Sequence, residues 1–147
     1  MAAELRVLID LNIVLDVLQR REPFYEMSAR VLAAAETGRV EGWIAAHSVT
    51  TLFYLFARYQ SAEQARVALT DLLTFLSVAA VDHDVVEQAL NLPYPDFEDA
   101  VQMMAAVRCG AQYLVTRNVR DYARGPLPVL QPVELLAVMR DDRSVTD

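Results

Sequence analysis

The segment RVLIDLNIVLDVLQR, residues 6–20, decides the fold class. Val7, Leu8 and Ile9 form a wholly apolar run of the kind that buried parallel strands carry, so Arg6 to Asp10 is expected as a first strand. From Asn12 to Arg20 the apolar positions change to helical spacing, at Ile13, Val14, Val17 and Leu18. A strand that passes straight into a helix, with an aspartate at the junction, opens an α/β unit.

The rest of the chain repeats the alternation. Pro23 suits the first turn of a second helix that runs through Val31 and Leu32 to a stop at Gly38. Gly42 to Ala46 is a candidate strand. Ser48 is placed to cap a helix reaching Tyr59, and Ser61 with Gln64 makes a capping box for another that ends near Leu76. Ser77 to Val81 reads as a strand, and Asp84 with Glu87 opens a brief helix that ends before Pro93. Asp96 then caps a helix to Cys109, which Gly110 terminates. Tyr113 to Thr116 is a clear strand, Val129 and Leu130 a weaker one, and Pro132 begins a last helix through Leu135, Leu136 and Met139. Asp141 to Asp147 is expected as a polar, frayed tail. The sheet should be largely parallel.

Composition narrows the chemistry. Of 147 residues, 54% are apolar and 22% charged, with four glycines and six prolines, as a single packed domain requires. One cysteine, Cys109, and two histidines, His47 and His83, exclude a disulfide framework, a thiolate zinc site and the paired histidines of a zinc-protease helix. A reducing, cytoplasmic compartment is expected. Thirteen basic residues stand against twenty acidic ones, a net charge of −7, and all thirteen are arginine. Without lysine there is no Schiff base, no phosphate-loop lysine and no receiver-type phosphoaspartate site. Four scattered glycines cannot cradle a dinucleotide. The acidic balance opposes avid nonspecific binding to nucleic acid, but allows local contact with a polyphosphate through a few arginines and a metal ion. The longest uncharged stretch, Gly42 to Ala57, is broken by His47, Ser48, Thr50 and Thr51 and is too polar to span a membrane.

The aspartates carry the functional signal. Asp10 ends the first strand; Asp96 and Asp99 open a later helix and share one face; Asp121 follows the Tyr113 to Thr116 strand, beside Asn118. In open α/β sheets ligands bind outside the carboxyl ends of the strands, where these three segments would converge. Clustered carboxylates repel one another unless a cation neutralises them, and a hard, oxygen-seeking ion such as Mg²⁺ or Mn²⁺ is the natural resident. Asp96 reads equally as a helix cap, Glu98 as a partner of the helix dipole, and Asp16 as a solvated or paired residue. His47 reads as a local hydrogen-bonding residue, His83 as exposed, and Cys109 as core. Met103, Met104, Phe53, Tyr54 and Phe56 read as core or subunit contact. Arg117, Arg120 and Arg124 make either a solvated charged turn or a phosphate clamp.

Asp10-Leu11-Asn12 after a strand, Asp96-Phe97-Glu98-Asp99-Ala100 opening a helix, and Val115-Thr116-Arg117-Asn118 leading to Asp121 resemble the motifs of PIN domain proteins, above all VapC-like toxin ribonucleases. The resemblance spans nearly the whole chain. It implies a three-layer α/β/α fold with a central, mostly parallel sheet of about four or five strands, in one domain over residues 1–140 with residues 141–147 as the tail. It implies a Mg²⁺- or Mn²⁺-dependent endoribonuclease, the toxin of a toxin–antitoxin pair, homodimeric and restrained by an antitoxin protein. Asp10, Asp96, Asp99 and Asp121 are then the metal ligands, with Asp10, Asp99, Asp121 and Asn118 catalytic; Asn118 and Asp121 both remain candidates for the last position of the motif. Arg117, Arg120, Ser48, Thr51 and Asn12 are the expected substrate contacts. Two positions depart from the family pattern: Leu11 stands where a threonine is usual, and Thr51 where a helix glutamate is usual. The second departure motivates an alternative, a catalytically weak PIN-like module that binds protein or RNA.

Overall fold

The computed structural model describes residues 5–146, with side chains through Arg140. Five strands, β1 (Leu5–Ile9), β2 (Val40–Ala45), β3 (Leu76–Ala79), β4 (Tyr113–Val115) and β5 (Val129–Leu130), form one sheet in the order β3-β2-β1-β4-β5. Every pairing is parallel. The helices are α1 (Leu11–Leu18), α2 (Tyr25–Glu36), α3 (Ala46–Tyr59), α4 (Ala62–Leu72), α5 (His83–Ala89), α6 (Phe97–Arg108) and α7 (Pro132–Thr146), with a 3-10 turn at Val119–Tyr122. No helix among the described residues is long and apolar enough to cross a membrane.

The apolar run at the start of the chain is buried because the central strand is covered on both faces. Val7 and Ile9 pack into one core with α1, α2 and α7, through Ile13, Val14, Val31, Leu135 and Met139. Leu8 points the other way, into a second core with α5 and α6 through Val85, Val101, Met103 and Ala105. Strand β4 divides likewise, Val115 to the first core and Leu114 to the second. This period of two in a wholly apolar strand is what a sheet between two helical layers demands. Gly42 in β2 is fixed by the same packing: a Cβ there would lie 2.8 Å from Leu76 Cδ2 and 3.0 Å from the Ala35 Cβ. At the end of α2, Gly38 takes φ +78° while Arg39 N donates to the Ala34 carbonyl at 2.8 Å, closing the helix with a left-handed residue.

Several boundaries differ from the expectation, each for a local reason. Ser48 does not cap α3. The helix begins two residues earlier, and Ser48 lies in its first turn, 2% exposed. Pro23 precedes α2, whose N-cap is Phe24. Helix α5 is capped by Asp82, which accepts from Val85 N at 3.0 Å, and not by Asp84. Ser61 does accept from Gln64 N, but α4 stops at Leu72, since Leu76 is needed for β3. Over residues 141–146 the backbone continues α7 as helix, where a frayed tail was expected.

The chain begins in the middle of the sheet, builds outward through β2 and β3, then returns to the other side of β1 for β4 and β5. The reversal falls between β1 and β4. Crevices at such a switch point, outside the carboxyl ends of the strands, are where parallel sheets bind ligands.

Candidate metal centre

A pocket of about 210 Å³ opens at that point. Asp10 reaches it from the end of β1, with Leu11 and Asn12 from the start of α1; His47 and Ser48 come from the first turn of α3. Asp96, Glu98, Asp99 and Gln102 come from the start of α6, and Thr116, Asn118, Asp121 and Tyr122 from the segment after β4. The three aspartate-bearing segments singled out in the sequence therefore meet, and among the described residues no arginine lines the pocket.

Asp10 is 6% exposed, and its carboxylate is held from two sides. Thr116 Oγ1 donates to Asp10 Oδ2 at 3.0 Å and Gln102 Nε2 to Oδ1 at 3.3 Å. Its own backbone N–H donates to the Val115 carbonyl at 2.9 Å, which continues the β1–β4 pairing up to the pocket. Asp96 is a true N-cap, accepting from Glu98 N at 2.8 Å, while its carboxylate also faces the pocket. Asp99 accepts the Tyr122 hydroxyl at 3.0 Å. Burial, with the charges of Asp96, Asp121 and Asp10, pushes the Asp99 carboxyl up to about 6 against that hydrogen bond. Tyr122 is raised far above an ordinary phenol by burial and by Asp10 and Asp99, so it remains a hydrogen-bond donor.

The donor set fits a hard divalent cation. It offers carboxylate and neutral oxygens, no thiolate, and an excess of negative charge that already costs Asp99 its normal acidity. The carboxylates do not form a closed cage. Among the described residues, the one group of three or more His, Cys, Asp or Glu side chains whose donor atoms all lie within 4.8 Å of one another is His83, Asp84 and Glu87, exposed on α5. An open arrangement suits Mg²⁺, which keeps several waters and takes one or two carboxylates from the protein.

Three expected substrate contacts do not line the pocket. Thr51, a turn further along α3, is partly buried outside it, so α3 faces the site with His47 and Ser48 instead. Arg117 is turned away, its Nε and Nη2 on the Asp16 carboxylate at 2.8 and 3.1 Å and its guanidinium 3.9 Å from the Phe24 ring centroid. Asp16 is fully buried and also accepts from Ser28 Oγ at 2.9 Å. Asp16 is thus a buried structural partner, and the phosphate-clamp expectation for Arg117 gives way to an internal ion pair that desolvation makes obligatory. Arg120 lies exposed on the 3-10 turn next to Asp121.

Six lining residues were not among the expected site residues: Leu11, His47, Glu98, Gln102, Thr116 and Tyr122. The local bond at His47 is to its backbone, where Thr50 Oγ1 donates to the His47 carbonyl at 3.2 Å; the ring bonds elsewhere. Its Nε2 donates to the Glu98 carbonyl, 51 residues away, at 3.3 Å, and burial lowers its pKa, which keeps the ring neutral. Gln102 stands three residues after Asp99, so helical spacing alone put it on the same face.

The PIN domain family model matches residues 6–120. The chain is a PIN domain protein. Its fold is shared with a toxin–antitoxin complex from Klebsiella pneumoniae, at 22% identity and a TM-score of 0.66 over 86% of this chain and 97% of that one. It is shared too with a VapC toxin of Mycobacterium tuberculosis that cleaves the sarcin–ricin loop, at 18% identity and a TM-score of 0.59 over 74% and 86% of the two chains. A DNA-bound VapBC from Salmonella typhimurium gives 16% identity and a TM-score of 0.64 over 87% and 98%. No curated protein matches the chain.

Proposed function

We propose that this PIN domain protein is a metal-dependent endoribonuclease and the toxin of a toxin–antitoxin pair. The observation that carries the reading is the convergence of Asp10, Asp96, Asp99 and Asp121, from three separate segments, on one pocket with no arginine among its described lining residues. Membership of the PIN family and the toxins that share the fold support nuclease chemistry and an antitoxin partner. Asp10 and Asp99 would hold Mg²⁺ or Mn²⁺, with Asp96 and Asp121 at the rim. Bound there, the ion would supply a Lewis acid that neutralises a phosphodiester and acidifies water beside it.

The chain's own groups do the rest. Thr116 and Gln102 hold the Asp10 carboxylate, one on each oxygen, and fix its orientation at the pocket. Asn118 Nδ2, the Ser48 hydroxyl or the Asn12 amide, all lining the pocket, can orient a water or a phosphate oxygen. Arg120, exposed on the 3-10 turn beside Asp121, carries a positive charge that can offset the repulsion between RNA and an acidic protein. The exposed Tyr54 of α3, 67% accessible, is a candidate contact in a homodimer.

The test is cleavage of single-stranded RNA by purified protein in Mg²⁺ or Mn²⁺ against EDTA, with Asp10→Asn as control. Metal-dependent cutting that the variant loses supports the reading. Equal cutting by the variant, once contaminating nucleases are excluded, refutes it. A second reading, a PIN-like binding module of weak activity, is favoured by one observation: α3 presents His47 and Ser48 to the pocket and no carboxylate. It predicts RNA binding without turnover in either metal.

A further inference from the structure

Behind the pocket, two buried side chains join the carboxylates of Asp10 and Asp99. Gln102 Nε2 lies 3.3 Å from Asp10 Oδ1 and 2.6 Å from the Tyr122 hydroxyl oxygen, and that hydroxyl lies 3.0 Å from Asp99 Oδ1. The hydrogen directions follow from valence. A carboxylate can only accept, so the amide of Gln102 must turn its NH₂ to Asp10; a phenol that accepts from that NH₂ keeps its single hydrogen for Asp99. Gln102 is 3% and Tyr122 4% exposed, so water cannot replace either group. The Tyr122 ring is fixed as well. Tyr94 packs edge-on against it at 5.9 Å, and the Tyr94 hydroxyl donates to the Tyr122 carbonyl at 3.2 Å.

We propose that Gln102 and Tyr122 are positioning residues, a hydrogen-bonded strut that holds Asp10 and Asp99 at a set separation and orientation for a divalent cation. The proposal rests on the metal-dependent reading above and deepens it. Because α3 offers the site no carboxylate, more of the metal grip falls on Asp10 and Asp99, and their alignment matters correspondingly more. The strut occupies Asp10 Oδ1 and Asp99 Oδ1 from the protein side, and among the described residues no donor meets Asp99 Oδ2. It also leaves Gln102 Oε1 buried and unpartnered, a local cost that a bridging amide incurs and an apolar side chain would not.

Removing the hydrogen-bond partners of metal ligands typically weakens metal binding by about 10–100-fold. Tyr122→Phe keeps the ring and its packing and deletes only the hydroxyl. Calorimetric titration of Mn²⁺ into the wild-type protein and this variant is expected to give a dissociation constant about tenfold weaker or more for Tyr122→Phe. The metal-free melting temperature and the circular dichroism spectrum in EDTA should stay close to wild type, which separates positioning from a general loss of fold. A dissociation constant within twofold of wild type overturns the strut and leaves the metal-centre reading standing. Absence of Mn²⁺ binding by the wild-type protein overturns both. Should Tyr122→Phe fail to fold, Gln102→Met is read in the same titration against the same tenfold expectation, and an unchanged constant again overturns the proposal.

Discussion

Asp99→Asn should make the metal-free protein more stable. The Asp99 carboxyl is raised to about 6 from an ordinary 3.8, first by burial and then by the charges of Asp96, Asp121 and Asp10. A carboxyl with a raised folded-state pKa contributes stability that is complete below its unfolded pKa and is lost as pH rises through the folded value. At pH 7.5 the ionised group therefore opposes folding. A shift of about two pKa units corresponds to at most about 3 kcal/mol, and partial solvent screening reduces this to about 1–2 kcal/mol. The asparagine carbonyl can still accept the Tyr122 hydroxyl, so the substitution removes charge and little else. In EDTA at pH 7.5, thermal melts should show the variant about 3–6 °C above wild type. The gap should narrow as pH falls through 6 and vanish below about pH 4. Adding Mg²⁺ should raise the wild-type midpoint and leave that of the variant nearly unmoved, since a ligand stabilises only the state that binds it. A variant no more stable than wild type at pH 7.5, or an equal response to Mg²⁺ in both, would refute the electrostatic reasoning.

Other outcomes follow from the same structure. Arg117→Ala strands the fully buried Asp16 carboxylate and should cost about 3 kcal/mol or more in denaturant melts; a loss under 1 kcal/mol would mean the pair is not desolvated. Gly42→Ala must displace Leu76 and should cost about 1–3 kcal/mol by the same measurement, whereas no change would mean the β2–α2 packing is looser than described. Asp10→Asn should abolish RNA cleavage while its circular dichroism spectrum stays native. If α3 forms a homodimer contact, Tyr54→Asp should convert a dimer to a monomer in light scattering, and a wild-type monomer at micromolar concentration counts against the contact.

Much of this fold is legible before any coordinates. Val7, Leu8 and Ile9 announce a strand covered on both faces, and the two cores that receive Ile9 and Leu8 bear that out. Asp10 is legible because an aspartate directly after such a strand sits at the carboxyl edge of the sheet. Asp96 and Asp99 are legible from helix-start spacing; Asp96 caps α6 and also lines the pocket. Local pattern fails where a partner is distant in the chain. Arg117 looks like a solvated charge because nothing nearby announces Asp16, 101 residues away, or the Phe24 ring that covers it. His47 looks locally bonded because the Glu98 carbonyl is brought to it only when α6 packs against β2 and β3. Tyr122 looks like an ordinary turn residue until β4 lies beside β1 and the segment after it meets Asp99, and Gln102 like an ordinary helix residue until its α6 face meets Asp10 at the end of β1. The helix-capping roles of Ser48 and Asp84 fail more simply, since α3 starts after Ala45, three residues before Ser48, and α5 after Asp82, two before Asp84.

The most direct measurement is anomalous diffraction at the manganese edge from crystals grown or soaked in Mn²⁺. The expected result is one strong peak in the pocket between Asp10 and Asp99, absent in Asp10→Asn crystals. Peaks confined to the exposed His83, Asp84 and Glu87 group on α5, with none beside Asp10, would contradict a metal centre at the β1–β4 switch point.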